Sequence, residues 1–228
     1  MDRLYFIINP VSCSGERMRR FSLVRGILEK RGVEYGFCFS EYPGHAVKLA
    51  KAAIDAGETR LVAVGGDGTL NEVASVVKGY TGIKLGVLPF GTGNDFARGI
   101  CLPEDDEGLV NVLTGGKSRL IDAGMAGDGF FINVAGFGFD VDVVRYTEKY
   151  KRRLNGMLPY MLGILQSLIY LSRTEAEIVT DSGETFNVTV TLLSACNGTR
   201  FAGGINLAPL ADYSDGLMDI CILKKISR

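Results

Sequence analysis

The sequence contains no tryptophan, a single histidine and no excess of either charge. Its 25 lysines and arginines face 26 aspartates and glutamates, which gives a net charge of −1 over 228 residues. Generic nucleic-acid binding needs a basic excess, so this balance argues against a nucleic-acid partner. The single histidine, His45, lies at a predicted helix start and is tied by spacing to no serine or cysteine, so we assign it no catalytic chemistry.

The five cysteines form no CxxC pair, and their number is odd. This usage argues against a disulfide framework or a zinc site and favours free thiols, so we expect a cytoplasmic protein. Long hydrophobic runs are also missing, because Asn155, Pro159, Gln166 and Ser167 interrupt the longest one, residues 154–171. A membrane-spanning helix needs about 20 predominantly apolar residues. The first ten residues have the pattern of a strand and not of a signal peptide.

What the sequence does contain is a buried-strand pattern that runs into a glycine turn, LVAVGGDGTLN at residues 61–71. The glycines of residues 65–68 can adopt backbone angles closed to other residues, and they let an anion approach the main chain. Thr69 is the predicted N-cap of the following helix, with Glu72 three residues later. Such a turn is as often a plain connector, but Asp67 favours a phosphate site in which a cation such as Mg²⁺ lies between carboxylate and ligand.

A second turn of the same kind follows the next predicted strand, PFGTGNDFAR at residues 89–98, and it contains Asp95. Ligands of open α/β sheets bind at the carboxyl ends of the strands, so two such turns on consecutive strands predict a cleft. The small-residue loop at residues 11–15 could also contact phosphate, or could simply connect strand and helix.

Strands and helices alternate up to about residue 117, which predicts an α/β domain over residues 1–117. From residue 118 the pattern predicts antiparallel structure. Two hairpins are expected over residues 118–137 and 175–195, a helical segment over 140–171, and a last strand over 217–223. Residues 118–228 are therefore predicted to form a second, β-rich domain.

Taken together, the motifs resemble the diacylglycerol kinase catalytic family, especially its bacterial soluble lipid kinases. The motifs that carry the resemblance are IINPVSCSG at 7–15, PGHA at 43–46, GGDGTLNEV at 65–73, PFGTGNDFAR at 89–98, NGTRFAGGINLAP at 197–209 and DGLMDI at 215–220. GGDGT alone is shared with NAD kinases and phosphofructokinases. The GTGNDFAR partner and the β-rich second half resemble lipid kinases.

The resemblance implies an N-terminal three-layer α/β domain of the NAD-kinase type and a C-terminal antiparallel β-sandwich-like domain. It implies an ATP- and Mg²⁺-dependent kinase that phosphorylates a hydroxyl of diacylglycerol or a related lipid, with ATP in the cleft between the domains. By matching positions, it implies that the nucleotide is bound by Asn9, Ser12, Gly44, His45, Ala46, Gly65, Gly66, Asp67, Gly68, Thr69, Glu72, Gly91, Thr92, Gly93 and Asn94.

The same resemblance implies that Asp67 and Asp95 are catalytic, near the phosphates and the metal. Asp67 and Asp215 are the implied metal residues, and Asp215 matches an aspartate that helps to hold a structural Mg²⁺ through water. In the family a further DGE motif supplies the general base, and no DGE follows residue 220 here. We therefore expect a truncated chain or a protein that has lost catalysis. The alternatives are a kinase of a soluble substrate such as NAD, and a catalytically silent nucleotide-binding protein.

A lipid substrate requires a route to the membrane. Lys149, Lys151, Arg152 and Arg153 precede an apolar helix predicted over residues 157–171, a layout suited to an anionic bilayer surface and to peripheral association with the inner membrane face. The more conservative interpretation is that its apolar residues pack inside the second domain, because apolar helical stripes are usually core. That stripe comprises Leu158, Leu162, Leu165 and Ile169. A homodimer is left open.

Overall fold

The structure is a computed structural model that describes residues 3–13, 15–151, 153–154, 158–170 and 173–224. Arg152, Met157 and Leu171, which belong to the predicted basic and apolar segment, lie outside the described residues. The chain divides into two compact units, one of residues 1–133 with 197–217, the other of residues 134–196 with 218–228. These units are defined by contacts within the fold. The domain boundary expected between residues 117 and 118 stays a prediction.

Helices and strands alternate through the first half of the chain, and strands dominate the second. In chain order the elements are β1 (Leu4–Ile8), α1 (Glu16–Lys30), β2 (Tyr35–Phe39), α2 (His45–Asp55), β3 (Arg60–Gly65), α3 (Asp67–Val77), β4 (Lys84–Pro89), α4 (Asp95–Gly99), α5 (Asp106–Thr114), β5 (Gly124–Ala126), β6 (Gly129–Phe131), β7 (Val134–Gly138), α6 (Phe139–Lys151), α7 (Leu158–Ile169), β8 (Thr174–Val179), β9 (Thr185–Cys196), β10 (Arg200–Phe201), β11 (Ile205–Asn206) and β12 (Asp219–Lys224).

The first unit is built on a parallel sheet with strand order β2-β1-β3-β4. Successive side chains of a strand point to opposite faces, so each inner strand contributes to two cores. Phe6 and Val62 pack with α1 and α5 on one face, whereas Ile7 and Ala63 pack with α2 and α3 on the other. The result is the three-layer α/β arrangement that was expected for the N-terminal part, and that expectation is confirmed.

The strand order places the carboxyl ends of β1, β3 and β4 side by side. Parallel strands end at the same edge of the sheet, so the loops that follow these three strands come together there. These loops are residues 9–13, the turn at Gly66, and residues 90–94. The sheet itself therefore positions the residues that the motifs singled out.

The second unit contains an antiparallel sheet with order β12-β9-β7, and β8 also pairs with β9. The antiparallel C-terminal architecture is thereby confirmed. The hairpin expected over residues 118–137 was wrong in its second half, because β5 and β6 pair only within residues 124–131 and β7 joins β9 instead. Asn133 explains the change of direction: its carbonyl accepts the N–H groups of Asn197 and Gly198, and its side chain donates to the Arg200 carbonyl.

Two helices, α6 and α7, lie between β7 and β8. The expectation that the stripe of Leu158, Leu162, Leu165 and Ile169 packs inside the second unit was wrong, because Leu158, Leu165 and Ile169 are exposed and Leu162 is only half-buried. The small residues of α7 are buried instead, namely Pro159, Gly163 and Ser167. Within the described part of the chain, no helix combines the length and the apolar character that a membrane crossing requires.

Candidate functional site

The two glycine turns touch each other at the edge of the parallel sheet. A Cβ added to Gly91 would lie 2.2 Å from the Cα and 2.8 Å from the backbone N of Gly66. Within the first turn, a Cβ on Gly65 would lie 2.6 Å from Oγ1 of Thr69. None of the glycines at 65, 66, 68, 91 and 93 has a left-handed φ, so the backbone angles open only to glycine are not used in these turns. Close approach is what requires glycine at Gly65 and Gly91.

The left-handed conformation lies at Asn94, with φ of 55°. Its Oδ1 accepts the N–H of Gly91 at 2.9 Å, and its Nδ2 donates to the carbonyls of Pro89 and Gly91 at 2.8 and 3.1 Å. Asparagine tolerates this conformation because its short side chain can hydrogen-bond locally. The side chain of Asn94 thus holds the second turn in shape, whereas Thr92 is exposed at its tip.

Asp67 links the start of α3 to the start of α4. Its Oδ2 accepts the N–H of Asp95 and its Oδ1 accepts the N–H of Phe96, both at 3.1 Å. These are two of the N–H groups that have no partner inside a short helix, and a carboxylate satisfies them well. Asp67, which was predicted to be catalytic and metal-binding, therefore also caps α4, although it lies 28 residues before Asp95 in the chain.

Asp95 is buried, with 7% of its surface exposed. Its Oδ2 accepts the N–H of Gly203 at 2.9 Å, while its Oδ1 has no hydrogen-bond partner among the described residues. The two carboxylates converge on Gly93, since a Cβ there would lie 3.2 Å from Oδ2 of Asp67 and 3.4 Å from Oδ2 of Asp95. An unsatisfied buried carboxylate oxygen is costly, so this place suits a donor or a cation.

Mg²⁺ commonly takes one or two carboxylates from the protein and completes its shell with water and substrate phosphate. The Asp67 and Asp95 pair, with one unpartnered oxygen, fits that requirement. Across the described ranges, no group of three or more His, Cys, Asp or Glu side chains is placed to hold a metal. Asp215 is exposed, and its Oδ1 accepts the N–H of Leu217, while Asp122 accepts the N–H of Gly216. The metal role of Asp215 stays a prediction.

Asn9 connects the loop after β1 to the first turn of α3. Its Nδ2 donates to Oγ1 of Thr69 at 3.1 Å, and its Oδ1 accepts the N–H groups of Val11 and Ser12 at 3.0 and 3.3 Å. Helix α3 begins at Asp67, with Gly66 as its N-cap. The prediction that Thr69 caps this helix was therefore wrong. Thr69 lies in the first turn of the helix, and its hydroxyl accepts a hydrogen bond from Asn9.

The carboxylate of Glu72 binds the start of α2 and does not bind Thr69. Its carboxylate accepts the N–H groups of Gly44 and Ala46 at 3.0 and 3.2 Å, which satisfies first-turn donors of that helix. Between them, the ring of His45 stacks on Tyr42 at 4.4 Å, and its Nδ1 accepts the N–H of Glu41. The structure thus brings Glu72, Gly44 and Ala46 together, and it ties His45 to the preceding loop.

Sequence reasoning missed Tyr213, which is 3% exposed and lies close to the acidic pair. Its ring packs edge-on against Phe96 at 5.0 Å, and its hydroxyl donates to Oδ1 of Asn133 at 3.0 Å. Burial, helped by the negative charges of Asp67 and Asp95, raises the pKa of Tyr213 to about 12. A single tyrosine between polar residues gives no sequence signal that it will be buried close to Asp67 and Asp95.

The raised pKa of Tyr213 predicts a loss of stability in alkali. A free tyrosine ionises near pH 10, so between about pH 10 and 12 the unfolded chain loses a proton that the folded chain keeps, and the free energy of unfolding falls as pH rises. The contribution of one such group is at most about 3 kcal/mol. When the free energy of unfolding is measured in urea at pH values from 9 to 11.5, it should fall less steeply with pH in Tyr213→Phe than in the unsubstituted protein. Equal slopes would contradict the assignment.

The chain combines a parallel α/β sheet, whose edge carries two apposed glycine turns and two converging aspartates, with an antiparallel sheet, and this defines a two-part α/β protein. The profile of the "Diacylglycerol kinase catalytic domain" matches residues 3–126, and that of the "YegS C-terminal NAD kinase beta sandwich-like domain" matches residues 133–228. The chain belongs to the diacylglycerol kinase family.

Named relatives agree with this assignment. A diacylglycerol kinase of Bacillus subtilis is 33% identical over 99% of this chain and 75% of its own length, and one of Mycobacterium tuberculosis is 31% identical over 97% and 73%. A "Probable lipid kinase YegS-like" protein of Chromohalobacter salexigens is 37% identical over 79% of this chain. The match spans 59% of the length of that relative, which is less than two thirds.

The crystal structure of a diacylglycerol kinase from Bacillus anthracis superposes with a TM-score of 0.77 over 98% of this chain and 74% of that one. Sequence identity in this comparison is 23%, so it establishes the fold. The fold of both parts of the chain is therefore that of the diacylglycerol kinases.

Proposed function

We propose that this protein is an ATP- and Mg²⁺-dependent lipid kinase, which transfers the γ-phosphoryl group of ATP to a hydroxyl of diacylglycerol or a related lipid. The observation that carries the proposal is the convergence of Asp67 and Asp95 on Gly93, in the second of the two apposed glycine turns. Membership of the family and the names of the Bacillus subtilis and Mycobacterium tuberculosis relatives support a lipid acceptor.

The first turn of α3 supports phosphate binding. Asp67, Gly68 and Thr69 are its first three residues, and the N–H groups of a first helical turn have no acceptor within the helix. They lie at the positive end of the helix dipole, which favours an anion. Gly68 is exposed, and a Cβ added to it would meet nothing within 4 Å. The phosphates of ATP would approach the main chain here.

Phosphoryl transfer asks a protein mainly to position the reactants and to neutralise charge on the phosphate oxygens. Bound Mg²⁺ supplies that neutralisation. Asp67 and Asp95 would hold it, Asp67 through lone pairs left free by its two N–H bonds and Asp95 through its unpartnered Oδ1. The turns around Gly66 and Gly91 would fix the phosphates beside them. The placement of ATP between two domains stays a prediction.

The acceptor is tested by incubating the chain with radiolabelled ATP and Mg²⁺, and with either dioctanoylglycerol or NAD. We expect label in the phosphorylated lipid and none in NADP. Transfer to NAD alone would replace the proposal with a kinase of a soluble substrate. Saturable ATP binding without transfer to any acceptor in a panel of lipid alcohols would identify a silent nucleotide-binding protein and contradict the proposed activity.

Replacing Gly68 with alanine separates phosphate binding from stability. Alanine is favoured over glycine inside a helix by about 0.5–1 kcal/mol, and the site has room for the methyl group, so the melting temperature should stay the same or rise. ATP affinity should nevertheless fall about tenfold or more, because the methyl group occupies the space that the phosphates need. Calorimetric titration with ATP and thermal unfolding measure the two effects. Gly26→Ala in α1, which also meets nothing within 4 Å, is the control and should leave affinity unchanged. Unaltered affinity in Gly68→Ala would place the phosphates elsewhere.

A further inference from the structure

Tyr213 fills the space between α4 and the segment that follows β9. Its ring packs edge-on against Phe96 at 5.0 Å, and Phe96 is the residue next to Asp95. A Cβ added to Gly99, at the end of α4, would lie 2.2 Å from the Tyr213 hydroxyl oxygen, and so would a Cβ added to Gly198. The hydroxyl is therefore enclosed by glycines of two separate segments. All of these residues belong to the first unit.

The Tyr213 hydroxyl orients the carboxamide of Asn133. It donates to Oδ1 of Asn133 at 3.0 Å, while Nδ2 of Asn133 donates to the carbonyl of Arg200 at 3.0 Å. The backbone carbonyl of Asn133 also accepts the N–H groups of Asn197 and Gly198. Without the tyrosine hydroxyl, Oδ1 would lose its donor, and among the described residues the carboxamide would keep only its bond to Arg200.

The loop of residues 200–204 connects this anchor to Asp95. Three successive residues of the loop have left-handed backbone angles, with φ of 53°, 87° and 113° at positions 202–204. This conformation is unfavourable for the alanine among them, so the surroundings must hold the loop in place. The N–H of Gly203 donates to Oδ2 of Asp95 at 2.9 Å. The loop is thus tied to Asn133 near one end and to Asp95 near the other.

A hydrogen bond to one oxygen of a carboxylate decides where the other oxygen points. The terminal torsion of an aspartate has broad, roughly twofold preferences, so the side chain alone does not fix that direction. In Asp95 the Gly203 N–H occupies Oδ2, and Oδ1 has no partner among the described residues. Oδ1 is the oxygen that we assign to Mg²⁺ above. Its direction therefore depends on the loop that Asn133 and Tyr213 hold.

We propose that Tyr213 is a positioning residue for phosphoryl transfer, which directs Oδ1 of Asp95 toward the metal through Asn133 and the Gly203 N–H. The inference rests on the proposed kinase function. Tyr213 is buried, so it acts through Asp95 and not by contact with ATP or the lipid. A residue of this kind should change the use of the metal and leave the binding of the two substrates nearly unaltered. A merely structural tyrosine would change stability only.

Tyr213→Phe tests the proposal, because it keeps the ring against Phe96 and removes the bond to Asn133. Amide hydrogen exchange at Gly203 should become about tenfold faster, because the loop has lost an anchor. The dissociation constant of Mn²⁺ alone, measured by electron paramagnetic resonance, should rise about fivefold or more. The Mg²⁺ concentration for half-maximal kinase activity should rise by a similar factor. KM for ATP and for dioctanoylglycerol should change less than about twofold.

Tyr35→Phe is the matched control for a lost tyrosine hydroxyl. The hydroxyl of Tyr35 donates to Glu29 at 2.6 Å and accepts Nε–H of Arg25 at 2.9 Å, so this variant also loses hydrogen bonds within the first unit. These bonds join α1 to β2 and do not involve the loop of residues 200–204. Tyr35→Phe should leave the exchange of Gly203 and the metal requirement unchanged.

Asn133→Ala is a second test, because it removes both side-chain bonds and keeps the backbone carbonyl. It should reproduce the effects of Tyr213→Phe, and the double variant should add less than about twofold. Unaltered Gly203 exchange in Tyr213→Phe would overturn the proposal, as would additive effects of the two variants or lower stability with unaltered Mn²⁺ affinity. An unsubstituted protein without kinase activity would refute the proposed function, and amide exchange and Mn²⁺ affinity would still decide whether Tyr213 positions Asp95.

Discussion

Replacing Gly91 with alanine is expected to break the contact between the two glycine turns and to abolish measurable ATP binding. The added Cβ would lie 2.2 Å from the Cα of Gly66 and 2.7 Å from Oδ1 of Asn94. Neither neighbour can move away easily. Gly66 is held between β3 and α3, and Asn94 is held by its three hydrogen bonds within the turn. Overpacking typically costs about 1–3 kcal/mol, and contact with backbone places this case at the upper end.

Thermal unfolding and calorimetric titration of Gly91→Ala with ATP measure the two expected losses. Gly26→Ala again provides the comparison, because the same chemical change in open space should leave both quantities intact or raise stability slightly. The informative result is a variant that is folded but does not bind ATP, since the phosphates would then depend on the shape of the turns. A Gly91→Ala protein with unaltered stability and affinity would show that the turns do not meet as described.

The sequence could predict most of the helices and strands, and the edge of the sheet at which the candidate site lies, because these depend on local patterns. Short apolar runs ending in glycine turns predicted β3 and β4, and the rule for parallel strands brought their turns together. Which side chain satisfies which N–H group could not be predicted in this way. Asp67 binds α4 across 28 residues, and Glu72 binds α2 across 26 and 28. Such partners depend on how helices pack, which local sequence does not determine.

Helix α7 shows a second limit of the same kind. Hydrophobic periodicity identified the stripe, but periodicity does not reveal whether a stripe faces the core or the solvent. The deciding residue was Gly163, whose missing side chain permits backbone contact with α6 and turns the leucines outward. Tyr213 was missed for a related reason, since its contacts with Asn133 and Phe96 join distant parts of the chain.

Replacing Asp67 with asparagine is expected to reduce kinase activity by about 10²–10³-fold, the usual consequence of removing one preorganised electrostatic group from a transfer site. This residue has one observed task and one proposed task. Its carboxylate caps α4 through the N–H groups of Asp95 and Phe96, and its charge lies next to Asp95 at Gly93, where Mg²⁺ is proposed to bind. Asparagine keeps one acceptor oxygen and loses the charge, so it weakens the first task and removes the second.

A matched control measures how much of the loss of kinase activity is caused by the lost helix cap. Asp105 caps α5 by accepting the N–H of Gly108 at 2.7 Å, and it is exposed. Asp105→Ala removes that acceptor and should therefore lower stability by about 0.5–2 kcal/mol, the usual cost of a lost cap. Because Asp105 has no proposed contact with ATP or Mg²⁺, its variant should keep the activity of the unsubstituted protein.

Mg²⁺ dependence distinguishes a metal role from a purely capping role. If the Asp67 charge helps to hold the ion, the Mg²⁺ concentration for half-maximal activity should rise about tenfold or more in Asp67→Asn and stay constant in Asp105→Ala. Asp67→Ala, which removes both acceptor oxygens, should lose further stability because the N–H groups of Asp95 and Phe96 are left without their partner. A common loss of stability in all three variants, with activity and Mg²⁺ dependence intact, would reduce Asp67 to a helix cap. An Mg²⁺ requirement that rises only when Asp67 is changed would identify its carboxylate as the group that acts on the metal.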